Sequence, residues 1–135
     1  FDERTHQVAG QVVTLNALEN ETIRGERFAE PRIHFAVNCA STSCPPLQPL
    51  PFTAENLEAQ LAAGGREHVR RTTEIAGRRA TVSQLFEWFA GDFERVGGVR
   101  AFVAAQLDEA DAATVSNERT RLRYRPYDWS INARE

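Results

Sequence analysis

Short apolar pieces separated by turn residues open the chain. His6 to Val13 predicts a β-hairpin, with Ala9-Gly10-Gln11 turning between its arms. From Thr14 to Arg24 the period changes. Leu15, Leu18 and Ile23 form a helical stripe, Asn16 and Glu19 have the spacing of a capping box, and Gly25 ends the element. The apolar run Ile33 to Val37, bounded upstream by Pro31, predicts a buried strand over residues 31–39. Residues 40–52 hold four prolines and predict a long loop.

Downstream, Thr53 is placed to cap a second helix carrying Leu57 and Leu61. Gly64-Gly65 weakens that helix before it resumes through Arg71. Thr73 to Val82 predicts a hairpin centred on Gly77-Arg78. Ser83 caps an amphipathic helix whose apolar face is Leu85, Phe86, Trp88, Phe89 and Phe93. Gly97-Gly98 breaks it before a helix from Val99 to Leu107, and an acidic, alanine-rich connection follows. Arg121 to Arg125 alternates Arg with Leu122 and Tyr124, as a half-buried strand does. The expected class is α+β: one domain over residues 1–135, with a small mixed sheet and several packed helices.

Composition narrows the function classes. The 135 residues are 41% apolar with a net charge of −3. That mild acidity argues against a dedicated nucleic-acid binder, which carries a basic field. No apolar run reaches transmembrane length and no signal-peptide core is present, so no membrane partner is expected. All sixteen basic residues are Arg, which reads as genomic base composition rather than as an anion site. A chain that opens at Phe1 and contains no Met is expected to be a piece of a longer polypeptide.

The candidate chemistry lies in one stretch. His34, Cys39 and Cys44 fall within eleven residues, with Ser41, Thr42 and Ser43 between the thiols. A thiol nucleophile needs a thiolate, an imidazole to move its proton, and a third group to orient the ring. Cys39 or Cys44, His34 and Glu19 supply those types. On a regular strand Cys39 points away from the His34 face, whereas Cys44 follows a loop able to return it. Pro45 fits a first helical position, which would put Cys44 at a helix N-terminus and lower its pKa, so Cys44 is preferred over Cys39 as nucleophile. Two other readings stay open: a stabilising Cys39–Cys44 disulfide in a non-catalytic binding or assembly module, and a metal site using His34, Cys39 and Cys44.

Four segments carry a family resemblance. Leu15 to Arg24 resembles the "LSLDDIEHxILR" segment of the bacterial domain of unknown function 547 family, and Pro31 to Leu47 resembles its "DPRIHFALNCASxSCPPL" signature. Ser83 to Phe93 is similar to its "SxIFxWYxxDF" helix, and Tyr127 to Asn132 to its terminal "YDWSLN". Asn20 stands where the family has a His, and nothing corresponds to an upstream helical half containing "AFWINLYNAL".

The resemblance implies a partial papain-like or transglutaminase-like core. It implies a thiol hydrolase with no cofactor, cleaving an amide or thioester bond of peptides or of small γ-glutamyl thiols such as glutathione. It also implies a periplasmic or secreted setting. In such enzymes an Asn beside the catalytic His orients it, which makes Asn132 and Asn38 candidates for orienting the ring or binding substrate. The apolar face Leu85 to Phe93 is expected to need covering, by the absent N-terminal half or by a second copy of the chain.

Overall fold

A computed structural model describes residues 2–133. The first hairpin pairs β1 (Thr5–Val8) with β2 (Gln11–Thr14) in antiparallel register, Val8 opposite Gln11. Its two-residue turn puts both Ala9 (φ 50°) and Gly10 (φ 79°) in the left-handed region, the geometry that matches strand twist. Ala17–Ile23 then forms a helix of π type, closed by Arg24 N–H donating to Glu19 O five residues back at 2.9 Å.

The strand expected over residues 31–39 is instead a 3-10 helix, Pro31–Phe35. Pro31 presets the helical φ and has no N–H to lose at that position. The Glu30 carboxylate accepts the Arg32 N–H at 2.9 Å and both ends of its guanidinium at 2.6–2.7 Å. Arg32 also reaches Glu58 at 2.9 Å, tying this turn to α1. The strand alternation expected to turn Cys39 away from the His34 face therefore does not occur.

α1 (Leu57–Thr72) runs unbroken through Gly64-Gly65. These glycines are where Phe35 presses on the helix. A Cβ at Gly64 would lie 3.3 Å from the Phe35 carbonyl oxygen, and one at Gly65 3.4 Å from the Phe35 ring. Their cost in helix propensity thus permits close packing. Thr53 does not cap α1 through its hydroxyl: its backbone carbonyl takes the N–H groups of Asn56 and Leu57, and Asn56 Oδ1 accepts the Thr53 N–H.

The second sheet is mixed. β3 (Glu74–Ala76) pairs antiparallel with β4 (Arg79–Ser83), and β4 pairs parallel with β5 (Arg121–Arg125). The helix expected from Ser83 breaks in two, α2 (Leu85–Trp88) and a 3-10 helix (Ala90–Val96), with Phe89 between them. The Ser83 hydroxyl accepts the Leu85 N–H at 3.3 Å. α3 (Gly98–Ala104) follows. The acidic connection is a further helix, α4 (Glu109–Ser116), which Asp108 caps by accepting the Asp111 N–H at 3.0 Å. α+β is therefore the class, with small sheets and several helices.

The core gathers Phe35, Val69, Val82, Phe86, Phe93, Phe102 and Val103 between α1, the mixed sheet and α3. Leu85, Phe86 and Phe93 are buried there, so most of the face expected to need a partner is covered by the chain itself. Trp88 remains exposed. No helix among the described residues is long and apolar enough to cross a membrane.

Candidate active site

The break after α2 builds the site. It stacks Phe89 on the His34 ring, centroids 3.9 Å apart and 16° from parallel, and brings Asp92 Oδ2 within 2.7 Å of His34 Nε2. Arg24, at the end of the π-type helix, holds the same carboxylate with Nε at 2.6 Å and Nη2 at 3.3 Å. Its guanidinium also lies 4.8 Å from the Phe89 ring centre. Two segments, one carrying Arg24 and the other Phe89 and Asp92, thus fix one imidazole.

Burial pushes the His34 pKa down. Asp92 opposes this, Arg24 adds to it, and the net shift is downward, toward the neutral ring. Burial raises the Asp92 carboxyl, but its hydrogen bonds from Arg24 and His34 outweigh that and hold it below its ordinary value. A carboxylate beside an imidazole fixes the tautomer and stabilises the imidazolium when it forms. His34 Nδ1 has no hydrogen-bond partner among the described residues, and it is not sealed from solvent as the His68 nitrogens are.

The thiols sit in the loop after Val37. Ala40 adopts φ 59°, turning the chain sharply just past Cys39. Asn38 braces the turn: its Oδ1 accepts the Ala40 N–H, and its Nδ2 donates to Pro45 O, both at 2.8 Å. The C-terminal tail clamps the loop from outside. Ser130 O accepts from Thr42 N–H at 2.8 Å, Ser43 Oγ accepts from Asp128 N–H at 2.9 Å, and Ala40 O accepts from Asn132 N–H at 2.9 Å.

The two cysteines differ in kind. Cys39 is exposed and contacts Ser41 Oγ at 3.1 Å and Tyr127 Oη at 3.3 Å. Burial alone raises its pKa, but hydrogen bonds from Cys44, Ser41 and Tyr127 bring it down to about 7. Cys44 is 6% exposed and its pKa is raised, by burial first and then by the Cys39 thiolate. Its sulfur accepts the Cys39 N–H at 2.9 Å. Tyr127 is also raised, by burial and by the thiols, so its hydroxyl stays protonated as a donor. No helix begins at Pro45, so the helix N-terminus expected to activate Cys44 is absent; residues 45–53 have no regular structure.

Both groups face one cavity of about 490 Å³, whose walls hold Glu19, His34, Asn38, Cys39 and Cys44 together with Tyr127 and a set of apolar side chains. Glu19 makes no side-chain hydrogen bond among the described residues; the carboxylate bonded to His34 belongs to Asp92. Asn132 contributes a backbone N–H to the loop and is exposed, and no bond joins it to His34. Among the described residues no group of three or more His, Cys, Asp or Glu side chains is arranged to hold a metal ion, so the proposed His34–Cys39–Cys44 metal set does not assemble.

The signature over residues 31–47 thus folds as one capped turn and one braced thiol loop. The profile of the family described as "Protein of unknown function, DUF547" matches residues 1–69. The chain belongs to this family. No curated protein and no solved structure matches it. The span matched to the family profile holds the π-type helix, His34 and both thiols, while Asp92 and Tyr127 lie beyond it. Sequence reasoning missed these two, and also Arg24 and Ser41. A polar group inside an aromatic family-like segment, the Asp92 carboxylate beside Phe93 and the Tyr127 hydroxyl two residues before Trp129, is the signal that would have found them.

Proposed function

We propose that this chain carries the catalytic centre of a thiol hydrolase that cleaves an amide or thioester bond. Cys39 is the nucleophile, His34 the base and then the acid, and Asp92 the carboxylate that orients the ring. One observation carries the reading: an exposed thiol with a pKa near 7 shares a cavity with a neutral imidazole whose far nitrogen is held by a carboxylate. Cys39 displaces Cys44 in this role because Cys44 is buried and its pKa moves the wrong way. Glu19, Asn38 and Asn132 become wall, brace and tail contacts. In the structure the Cys39 sulfur bonds Ser41 and Tyr127 rather than His34, and substrate entry would have to redirect it. A thiol and an imidazole on one cavity, with the Asp92 carboxylate bonded to the imidazole, also support the finer fold reading, a partial papain-like or transglutaminase-like core.

A second reading has its own observation. Cys44 Sγ lies 2.9 Å from the Cys39 backbone nitrogen, so an oxidant in a periplasmic or extracellular setting would join the two thiols in a disulfide. The chain would then serve as a binding or assembly module.

Alkylation separates the readings. Iodoacetamide should modify Cys39 with a midpoint near pH 7 and leave Cys44 unmodified in the folded protein. Slow labelling of Cys39 throughout that range refutes the hydrolase. A mass two daltons below the reduced chain that is insensitive to iodoacetamide, with no hydrolysis recovered on reduction, establishes the module.

A further inference from the structure

Several exposed apolar side chains border the cavity beside Cys39. Leu15, Val37, Trp88 and Trp129 are 40–66% exposed, and all four line it. Leu18, Ile23, Leu85 and Phe89 continue the same wall inward. The rings of Trp88, Tyr127 and Trp129 pack on one another at 4.6–5.6 Å, giving one side of the mouth a continuous aromatic face. A volume of about 490 Å³ lies within the range of small-molecule sites and is not that of a flat protein interface.

Charge decides what such a space accepts. Among the described residues no Arg lines the cavity. The one acidic side chain lining it among the described residues is Glu19, which opposes any carboxylate or phosphate entering beside it. A γ-glutamyl group, with its own carboxylate, finds no cation there. An uncharged apolar chain loses nothing on entry and gains the release of water from both surfaces.

On the thiol-hydrolase reading, on which this step rests, we infer that the cavity seats the acyl half of the substrate, and that this half is an apolar acyl group of medium length carried as a thioester or ester. The reacting carbonyl then meets Cys39 at the cavity edge while the acyl chain lies along Leu18, Val37 and Trp88. His34 takes the thiol proton as the Cys39 sulfur forms a bond to the carbonyl carbon. The tetrahedral adduct collapses, the bond to the leaving sulfur or oxygen breaks, and that atom departs with the electron pair and the proton from His34. Water then adds to the acyl-enzyme and gives its proton to His34. The carbon–sulfur bond breaks, the carboxylic acid leaves, and Cys39 recovers its proton.

A thiolate or an acidic alcohol leaves with little protonation, so a thioester or ester makes the smallest demand on the proton that His34 holds after the thiol attacks.

The experiment is a ladder of p-nitrophenyl esters, acetyl, butyryl and octanoyl, each rate corrected for its uncatalysed hydrolysis and each acyl adduct located by mass spectrometry. Every methylene leaving water contributes a several-fold gain, so kcat/KM should rise at least tenfold from acetyl to octanoyl, with the adduct on Cys39. Val37→Glu, at a half-exposed wall position, should flatten the ladder. A flat ladder in the native chain, with Cys39 still acylated, overturns the acyl site and leaves the hydrolase standing. Failure of every ester to acylate Cys39 while iodoacetamide still labels it overturns both.

Discussion

Stability below pH 6.5 should be controlled by one core imidazole. His68 lies on α1 with 0% exposure, and neither ring nitrogen has a hydrogen-bond partner among the described residues. Its ring packs 5.3 Å from Phe35 and 6.4 Å from Phe86. Burial, with the Arg71 guanidinium adding to it, lowers its pKa from the ordinary 6.5 to about 4. The unfolded chain accepts a proton in that window and the folded chain does not. The unfolded state therefore binds more protons between pH 6.5 and 4, and stability falls as the pH drops through it; above 6.5 the contribution is complete. Each pH unit of the window is worth about 1.4 kcal/mol, so roughly 3 kcal/mol is lost by pH 4. His68→Leu removes the titrating group at similar volume, and it also removes two unpaired polar atoms that cost about 1–3 kcal/mol when sealed from water. Chemical denaturation of both proteins at pH 7, 5.5 and 4 reads the effect. The variant should gain on the native chain by about 3 kcal/mol between pH 7 and 4. His34, Glu30 and Asp92 also lose stability in acid, but equally in both proteins, so the difference isolates His68. Parallel pH profiles would refute the argument.

Two further outcomes test the site. Asp92→Asn keeps the shape but removes the charge that fixes the His34 tautomer; esterase kcat should fall by roughly 100-fold or more, while alkylation of Cys39 at pH 9 stays at the native rate. Equal kcat in the two proteins would remove Asp92 from the mechanism. Tyr127→Phe deletes one donor to the thiolate, so the iodoacetamide midpoint of Cys39 should move up by about half a unit to one unit. An unmoved midpoint would show that Ser41 and Cys44 hold the thiolate without it.

Local patterns read well from the sequence where one residue type decides the geometry. Gly10 and Gly77 marked both hairpin turns, and alternation identified β5. The strand expected at 31–39 failed because an apolar run of five residues carries no period of its own. What decided its form was the pair flanking Pro31: Glu30 caps the turn through Arg32. The acidic segment 108–116 failed in the opposite direction. Its helix buries only Val115, so there was no apolar stripe to read, and the informative residue was the cap, Asp108.

The site was legible in its reagents and illegible in its pairing. His34, Cys39 and Cys44 are close in sequence, and the cavity does hold all three. The partner of His34 lies 58 residues away, and the donors to Cys39 include Tyr127, 88 residues away. Such pairings depend on where helices break, and the break at Phe89 arises from tertiary packing rather than from a Gly or Pro at that position. Had the helix from Ser83 continued straight, residues four apart would share a face, and Asp92 would fall on the side of Trp88. Because it breaks, Phe89 stacks on His34 and Asp92 closes on Nε2. The same event that defeats a helical reading of residues 83–93 therefore sets the ring that the proposed chemistry requires. Local sequence rules are expected to fail where the fold bends a segment to serve a site.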